Sequence, residues 1–258
     1  MRYSNFAIWA VGLGLTLGVP LSWAATSDQP APSKSQGLVE RSNQTADAGN
    51  LPVYNPPKRG APGGRVGGGT RGSGQELPFL NVLAPDHVGL TTQEQPTLYW
   101  YLSKPTTHPI ELVIIQSVGI KPMGKLIEIP ILPLAQPGIH RIRLGDYGVK
   151  LAPGTQYQWF VTSVVKPDRR SKDIIAGGFI ERVGDPEAIQ MKLVQAGEAS
   201  AARVYAETGI WYDAVMALSE MIDAAPNDPR LRRQRAALMQ QVGLPDVAEF
   251  DLKYPTVQ

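Results

Sequence analysis

The sequence predicts an antiparallel, Ig-like β-sandwich of about seven strands, followed by a C-terminal α-helical hairpin unit. Between residues 78 and 184, short runs rich in Val, Ile, Tyr, Phe and Trp alternate with Pro, Gly, Asp and Asn, which typically separate strands. After residue 184, the apolar spacing changes from about two residues to about 3.6, which is typical of helices. Because no helical pattern separates the strands, we expect no parallel pairs, which need long crossovers.

Residues 1–24 have the pattern of a secretory signal peptide. Arg2 supplies a positive charge, residues 6–19 are apolar, and Ser22 and Ala24 are small residues before the expected cleavage site. This predicts a periplasmic or secreted protein, cleaved near Ala24, with no membrane span once the leader is removed. The alternative is an uncleaved anchor, although the apolar run is shorter than the roughly 20 residues that a span needs.

The composition limits the chemistry that the chain can perform. The 258 residues include no Cys, which excludes disulfides, thiolate catalysis and Cys-based metal sites. The 25 basic and 23 acidic residues nearly balance, so we expect no general affinity for nucleic acid. His87, His108 and His140 lack a second ligand at metal-binding spacing and are interpreted as surface residues. No cofactor is predicted, and no Gly-x-Ser-x-Gly elbow indicates a serine hydrolase.

Two unusual segments precede the predicted sandwich. Residues 25–57 are rich in Pro, Ser, Gln, Asn and Gly and are predicted to form a disordered tether. Residues 58–77, which we call the Gly/Arg segment, contain KRGAPGGRVGGGTRG. Exposed N–H groups beside positive charge suit an anion or a protein partner, although the pattern is neither a P-loop nor a dinucleotide fingerprint. The alternative interpretation is a flexible, solvated linker.

The sandwich, residues 78–184, is expected to contain seven strands. Their predicted ranges are 79–83, 97–102, 110–116, 125–131, 138–144, 156–165 and 174–183. In the second range, Tyr99 and Tyr101 share one face if Trp100 lies on the other. Two exposed tyrosines would bind a sugar ring or a protein partner. The alternative, which we favour, is that a C-terminal helix covers them.

The C-terminal unit, residues 185–252, is expected to contain three to five helices. Asp185 is the predicted N-cap of the first. The third, residues 210–225, carries an apolar stripe that predicts burial of Trp211. Four arginines crowd the start of the fourth helix, at Arg230, Arg232, Arg233 and Arg235. They are interpreted either as a solvated face or as a contact surface for an acidic partner or an anionic glycan.

The sequence also resembles two known families. Residues 209–214, GIWYDA, followed by APNDP at 225–229, are similar to a single tetratricopeptide repeat hairpin. The mature region also resembles an uncharacterised domain family of unknown function, known mainly from exported cyanobacterial proteins. The segments that carry this resemblance are RGAPG, GGGTRG, PTLYWYL, YQWF, GFIERV and GIWYDA. The resemblance implies no activity, cofactor or substrate, and this chain lacks the Cys that it implies after GGGTRG and after YQWF.

Because the Gly/Arg segment is among the distinctive parts of that family, we expect it to be pinned across the folded body. Its glycines would pass close to other backbone, and Arg59, Arg65 and Arg71 would meet carboxylates or carbonyls. The candidate carboxylates are Glu181, Asp213 and Glu220. The candidate ligand-binding or partner-binding residues are Arg59, Arg65, Thr70, Arg71, Tyr99, Tyr101 and Asp213.

The favoured function is that of a non-enzymatic module of the cell envelope that binds a protein or a polysaccharide. The alternative is a hydrolase that acts on cell-wall or extracellular glycan. Such an enzyme needs two carboxylates that face each other across a cleft, at roughly 5 to 10 Å.

Overall fold

In the computed structural model, eight strands and five α-helices make up the part of the chain that is described. The described residues are 51–58, 64–68, 78–118, 121–131, 136–184 and 187–253. They belong to one compact unit, residues 44–258. The predicted signal peptide, Arg59, Thr70, Arg71 and Asp185 lie outside the described residues.

The strands form two mostly antiparallel sheets, with strand orders β1-β3-β6 and β2-β8-β7-β4-β5. Their bounds are β1 (Leu80–Val82), β2 (Gly89–Thr91), β3 (Thr97–Leu102), β4 (Ile110–Val118), β5 (Lys121–Ile131), β6 (Gly138–Arg143), β7 (Gln156–Ser163) and β8 (Ile174–Arg182). All seven predicted strands are present. Their Val, Ile and aromatic residues supply the buried side chains of both sheets.

The expectation that parallel pairs would be absent was wrong. Gly89, Leu90 and Thr91 of β2 pair in parallel with residues 180–182 of β8. No local crossover is needed, because β3 to β7 and their connections lie between these two strands in the sequence. The three residues of β2 are too few to show a strand pattern of their own.

The helices follow the strands as expected. Their bounds are α1 (Glu187–Ala196), α2 (Ala201–Glu207), α3 (Trp211–Ala224), α4 (Pro229–Gln241) and α5 (Pro245–Lys253). Asp228 caps α4 by accepting the backbone N–H of Arg230 at 2.9 Å. Gly209 and Gly243 follow α2 and α4 with φ of 80° and 70°, a conformation that favours glycine at helix ends.

The helices and the sheets share one buried core. Trp211 of α3 has 0% exposure, as the apolar stripe predicts, and lies in the same cluster as side chains of both sheets. The hydroxyl of Tyr212 donates to the Phe179 carbonyl and accepts the Trp159 indole N–H, both at 2.8 Å. Buried aromatic residues with satisfied polar atoms therefore join the two kinds of element. No helix among the described residues is long and apolar enough to cross a membrane.

Residues 64–68 of the Gly/Arg segment connect the two sheets. Val66 exchanges backbone hydrogen bonds of 2.8 and 2.9 Å with Gly177 of β8. Gly68 exchanges two bonds of 3.0 Å with Leu80 of β1. A Cβ atom on Gly68 would lie 3.0 Å from the carbonyl oxygens of Ile175 and Leu80, a tight contact, so this approach favours glycine. The prediction of a pinned segment is confirmed for residues 64–68.

Residues 51–57 lie against the helices, so the structure shortens the predicted tether. Tyr54 is 7% exposed, and its ring contacts Trp211 edge-on, with centroids 4.9 Å apart. The backbone N–H of Asn55 donates to the Ala206 carbonyl at 3.1 Å. High proline content therefore marks an extended docked segment here, which we call the N-terminal arm.

Candidate binding groove between the sheet and the helices

Two neighbouring cavities lie between the β3–β6 strands and the helices, and Phe250 of α5 lines both. The first, of about 380 Å³, contains three arginines, and we call it the basic cavity. The second, of about 340 Å³, contains Asp246, Glu249 and Lys253 of α5, and we call it the acidic cavity because its acidic residues outnumber its basic one. Together they form what we call the sheet–helix groove. Its position follows from the fold, because side chains of α3, α4 and α5 line it together with those of β3 and β6 in the three-stranded sheet.

Tyr99 and Tyr101 share one face of β3, and helices cover both. They are 4% and 7% exposed, so the covered alternative is confirmed and no open aromatic surface exists there. Burial raises the pKa of the Tyr99 hydroxyl, and a hydrogen bond with Ser219 of α3 opposes that shift. Tyr99 lines the basic cavity and Tyr101 the acidic cavity. Both remain candidate ligand contacts, but only from within the groove.

Arg235 links α4 to α5 in the buried wall of the basic cavity. Its Nε and Nη2 atoms donate to the two carboxylate oxygens of Asp251 at 2.8 and 2.6 Å. Its Nη1 atom donates to the Ser219 hydroxyl at 2.9 Å. For Arg235, the interpretation as a solvated or contact residue was therefore wrong. The turn between the two helices brings Asp251 within reach, and the bidentate pair compensates the burial of both charges.

The other predicted arginines have different environments. Arg230 is exposed and forms an ion pair of 2.8 Å with Asp228 of its own helix cap. Arg232 lines the basic cavity and lies 3.9 Å from the Asp251 carboxylate. The four arginines therefore do not form one contact surface.

Arg141 of β6 lies at the mouth of the basic cavity and forms an ion pair with Asp223 of α3. The two side chains are 37% and 55% exposed, so water screens the pair and its contribution to stability is small. The hydrogen bond with Asp223 raises the pKa of Arg141, which stays charged. The basic cavity thus has three arginines, Arg141, Arg232 and Arg235. Two carboxylates, Asp223 and Asp251, pair with them, so one positive charge is in excess.

The acidic cavity combines aromatic and acidic side chains. Phe79 and Tyr101 line it beside Phe250, and the rings of Tyr101 and Phe250 lie 5.3 Å apart at 56°. Burial raises the pKa of Tyr101, and the nearby carboxylates of Asp246 and Glu249 raise it further. Both carboxylates project from α5, so they belong to one wall of the cavity.

Two predicted site residues lie outside the groove. Asp213, which is 1% exposed, accepts the Thr92 hydroxyl at 2.5 Å and the Thr92 backbone N–H at 3.2 and 3.3 Å. Burial raises the pKa of this carboxyl group, and the hydrogen bonds oppose that shift. Asp213 therefore fixes the turn after β2.

Arg65 meets carbonyls, one of the two kinds of partner predicted for it. Its guanidinium donates at 2.9 Å to the carbonyl oxygens of Ala84, Val242 and Gly243. The last two follow α4, where backbone carbonyls lack helical partners and attract positive charge. Arg65 thus ties the Gly/Arg segment to the end of α4.

The three histidines were interpreted as surface residues, but two have specific partners. His140 stacks on Trp100 with centroids 4.3 Å apart, and its Nε2 atom lies 2.6 Å from the Gln136 carbonyl oxygen. His87 Nε2 lies 2.8 Å from the Tyr54 hydroxyl. Within the described residues, no group of three or more His, Asp or Glu residues has the arrangement of a metal site.

These sheets and helices form the body that the comparison with protein families recognises. The chain belongs to the family described as Domain of Unknown Function (DUF928). The family model matches residues 66–252, which include both sheets, all five helices but for the last residue of α5, and most of the residues that line the groove. The family description assigns no activity.

Other comparisons add little to the DUF928 assignment. No curated protein matches the chain. Among solved structures, the chain is similar to a multi-domain immunophilin from Arabidopsis thaliana at 10% identity, over 77% of this chain and 98% of that chain. The TM-score is 0.17, so this likeness carries no argument about fold or function.

Proposed function

We propose that the chain is an exported, non-enzymatic module of the cell envelope that binds an acidic polysaccharide in the sheet–helix groove. The observation that carries this proposal is the basic cavity, in which the partly buried ring of Phe250 lies beside Arg141 and Arg232. Aromatic rings stack on the apolar faces of sugars, and guanidinium groups bind carboxylates in a bidentate way. The excess positive charge favours an acidic sugar over a neutral one.

The dimensions of the groove fit a polymer better than a compact metabolite. The basic cavity, at about 380 Å³, is within the range of small-ligand sites, and the acidic cavity continues beyond Phe250. A chain that crosses Phe250 would place one sugar in each cavity. In the second cavity, Asp246 would accept hydrogen bonds from neutral sugar hydroxyls, as would Glu249, which also forms an ion pair with Lys253.

The hydrolase alternative receives less support. The two carboxylates that share a cavity, Asp246 and Glu249, project from the same helix and do not face each other. In the basic cavity, the Asp223 carboxylate pairs with Arg141 at the mouth. A binding role requires no opposed carboxylates and is therefore preferred.

The remaining parts of the proposal rest on sequence patterns. The leader around residues 6–19 supports export to the periplasm or the outside, with cleavage near Ala24. The family resemblance supports a source among exported cyanobacterial proteins. We also infer an Ig-like arrangement of the two sheets, and a hairpin of the tetratricopeptide type for α3 and α4.

The direct experiment is a calorimetric titration of the secreted chain with an oligogalacturonate and with a neutral glucan of equal length. We expect saturable binding of the acidic oligosaccharide alone, weakened by added salt. Equal binding of both sugars, or of neither, would overturn the assignment of an acidic polysaccharide. Binding of a polyglutamate peptide without binding of sugar would replace it with an acidic protein partner.

A further inference from the structure

The N-terminal arm, residues 51–57, is held against the helices as an extended peptide is held by a receptor. From Leu51 to Asn55 the side chains alternate between exposed and buried: Val53 is 57% exposed, whereas Pro52 and Tyr54 are buried. This period of two is that of an extended chain with one face bound. The arm belongs to neither sheet, and the contacts described below come from α2, α3, α4 and the loop after β1.

A single carboxamide clamps the backbone of the arm. Gln241, the last residue of α4, donates from Nε2 to the Pro52 carbonyl at 2.9 Å and accepts the Tyr54 N–H at 2.8 Å. In an extended chain these two groups point to the same side, so one side chain satisfies both. The clamp selects an extended conformation and fixes the register, whatever the side chains are.

The end of α2 binds the opposite edge of the arm. The Asn55 backbone N–H donates to the Ala206 carbonyl at 3.1 Å, and its side-chain amide donates to the Glu207 carbonyl at 3.1 Å. These carbonyls belong to the last turn of α2, where partners four residues on are lacking; the Ala206 carbonyl also accepts the Gly209 N–H at 3.0 Å. The end of α2 therefore recognises a side chain with an amide donor at this position.

Tyr54 fills a pocket that matches its ring and its hydroxyl. The ring contacts Trp211 edge-on at 4.9 Å and lies parallel to the His87 ring at 5.8 Å. The hydroxyl lies 2.8 Å from His87 Nε2. Phenylalanine would leave the imidazole nitrogen without this partner, so the pocket selects tyrosine.

The receptor surface is also shaped for close approach of the arm. A Cβ atom on Gly209 would lie 2.8 Å from the Asn55 carbonyl oxygen and 3.4 Å from the Pro57 ring. Only glycine leaves room for the chain at this point. Recognition of an extended peptide combines hydrogen bonds to its backbone with a pocket for one side chain. Both are present here, and Gly209 lets the chain approach closely.

From this arrangement we propose that α2, α3, α4 and His87 form a recognition site for an extended Pro-x-Tyr-Asn peptide. The chain's own residues 52–55 fill the site, and the same segment of a second copy of the chain binds there when it displaces them. A second copy is the partner that these contacts favour, because its residues 52–55 carry every group that the site binds. The covalently attached arm has a high effective concentration, so exchange between copies requires concentrated protein. This proposal is independent of the sheet–helix groove.

The test uses a fluorescein-labelled peptide of residues 51–58 and the full chain carrying Tyr54→Ala, in which the arm no longer fills the pocket. Anisotropy should show saturable binding to this variant, and binding at least about ten-fold weaker to the wild-type chain. Adding Gln241→Ala should weaken binding about ten-fold through the lost clamp, whereas Gln240→Ala, at the exposed neighbouring position, should leave it unchanged. A peptide with Ala in place of Tyr54 should bind at least about ten-fold more weakly.

Equal binding of the two peptides, or no binding to a folded Tyr54→Ala chain, would overturn the proposal. Native-state hydrogen exchange of the wild-type chain decides the matter if that variant does not fold. A removable arm predicts that the Tyr54 and Asn55 amides exchange far faster than the core amides of β7. Exchange of all these amides only through global unfolding would show that the arm is a fixed part of the fold and would reject the proposal.

Discussion

Trp211 of α3 donates its indole N–H to the carbonyl oxygen of Leu83 at 2.8 Å, across the boundary between the helices and the sheets. The indole is fully buried, and Tyr54 of the N-terminal arm packs against it. One side chain thus contacts three parts of the molecule: the end of β1, the helical unit and the arm. This contact therefore joins the helices to the sheets.

Replacement of Trp211 by Ala is expected to lower the free energy of unfolding by about 3–5 kcal/mol, because it leaves a large cavity and an unpaired Leu83 carbonyl. Trp211→Phe keeps an aromatic ring and should have a smaller effect. Chemical denaturation of both variants measures the difference. An unchanged midpoint for Trp211→Ala would show that this contact does not hold the helices.

The buried pair of Arg235 and Asp251 gives a second prediction. Asp251→Asn leaves the guanidinium without its counter-charge and should destabilise the protein by about 3 kcal/mol. Replacing both residues, as Arg235→Met with Asp251→Leu, should be less harmful, because neither charge of the bidentate pair is left buried without its partner. Thermal unfolding of the single and double variants compares them. A double variant less stable than the single one would mean that the ion pair itself stabilises the fold.

The half-buried His87 of the arm site predicts a pH dependence. Burial lowers the pKa of His87, and the nearby carboxylate of Asp86 opposes this only in part. As the pH falls below the unfolded value of about 6.5, the unfolded chain takes up a proton that the folded chain does not, so stability falls. Burial also lowers the pKa of His140, which likewise reduces stability as the pH falls. The raised pKa of Asp213 has the opposite effect on stability.

Urea unfolding between about pH 7.5 and 5.5 should therefore show a loss of stability that is reduced in His87→Gln. The same slope in the variant and the wild type would mean that His87 does not contribute. His108→Gln is the matched control, because His108 lies in the bend before β4 rather than in the arm site.

Two glycines with positive φ form a matched pair for a test of the arm contact. Gly209→Ala and Gly243→Ala should each cost about 1–2 kcal/mol of backbone strain. Only at Gly209 would the new Cβ atom meet the arm, at 2.8 Å from the Asn55 oxygen; at Gly243 the nearest atom is 3.8 Å away. Faster hydrogen exchange of Tyr54 and Asn55 is expected in Gly209→Ala alone. Equal exchange in both variants would contradict the close contact.

Much of the architecture could be predicted, because local patterns determine it. Alternating runs such as TLYWYL indicated β3, and the apolar stripe around Trp211 indicated α3. The strand β2 was missed because its three residues have no pattern and its partner, β8, is distant in the sequence. The docking of the N-terminal arm against the helices was missed because proline-rich composition outweighed one available signal: Tyr54 is the single aromatic residue between residues 25 and 57.

The groove was harder to predict than the fold, because its residues come from distant elements. Tyr99 and Tyr101 were recognised as sharing a face, since alternation along a strand is local. The partners Arg141 and Asp223 lie 82 residues apart, and only the packing of β6 against α3 brings them together. Arg235 and Asp251 are closer in sequence, but the turn between α4 and α5 decides whether they meet.

The measurement that tests the central claim most directly is oligogalacturonate binding by Arg141→Gln and Arg143→Gln, compared by calorimetry with the wild type. Both positions lie on β6 and both changes remove one positive charge, but only Arg141 lines the basic cavity. The proposed function predicts about a ten-fold or greater loss of affinity for Arg141→Gln, since an arginine–carboxylate contact contributes more than about 1 kcal/mol, and little change for Arg143→Gln. Equal affinities in the two variants would contradict binding in the sheet–helix groove.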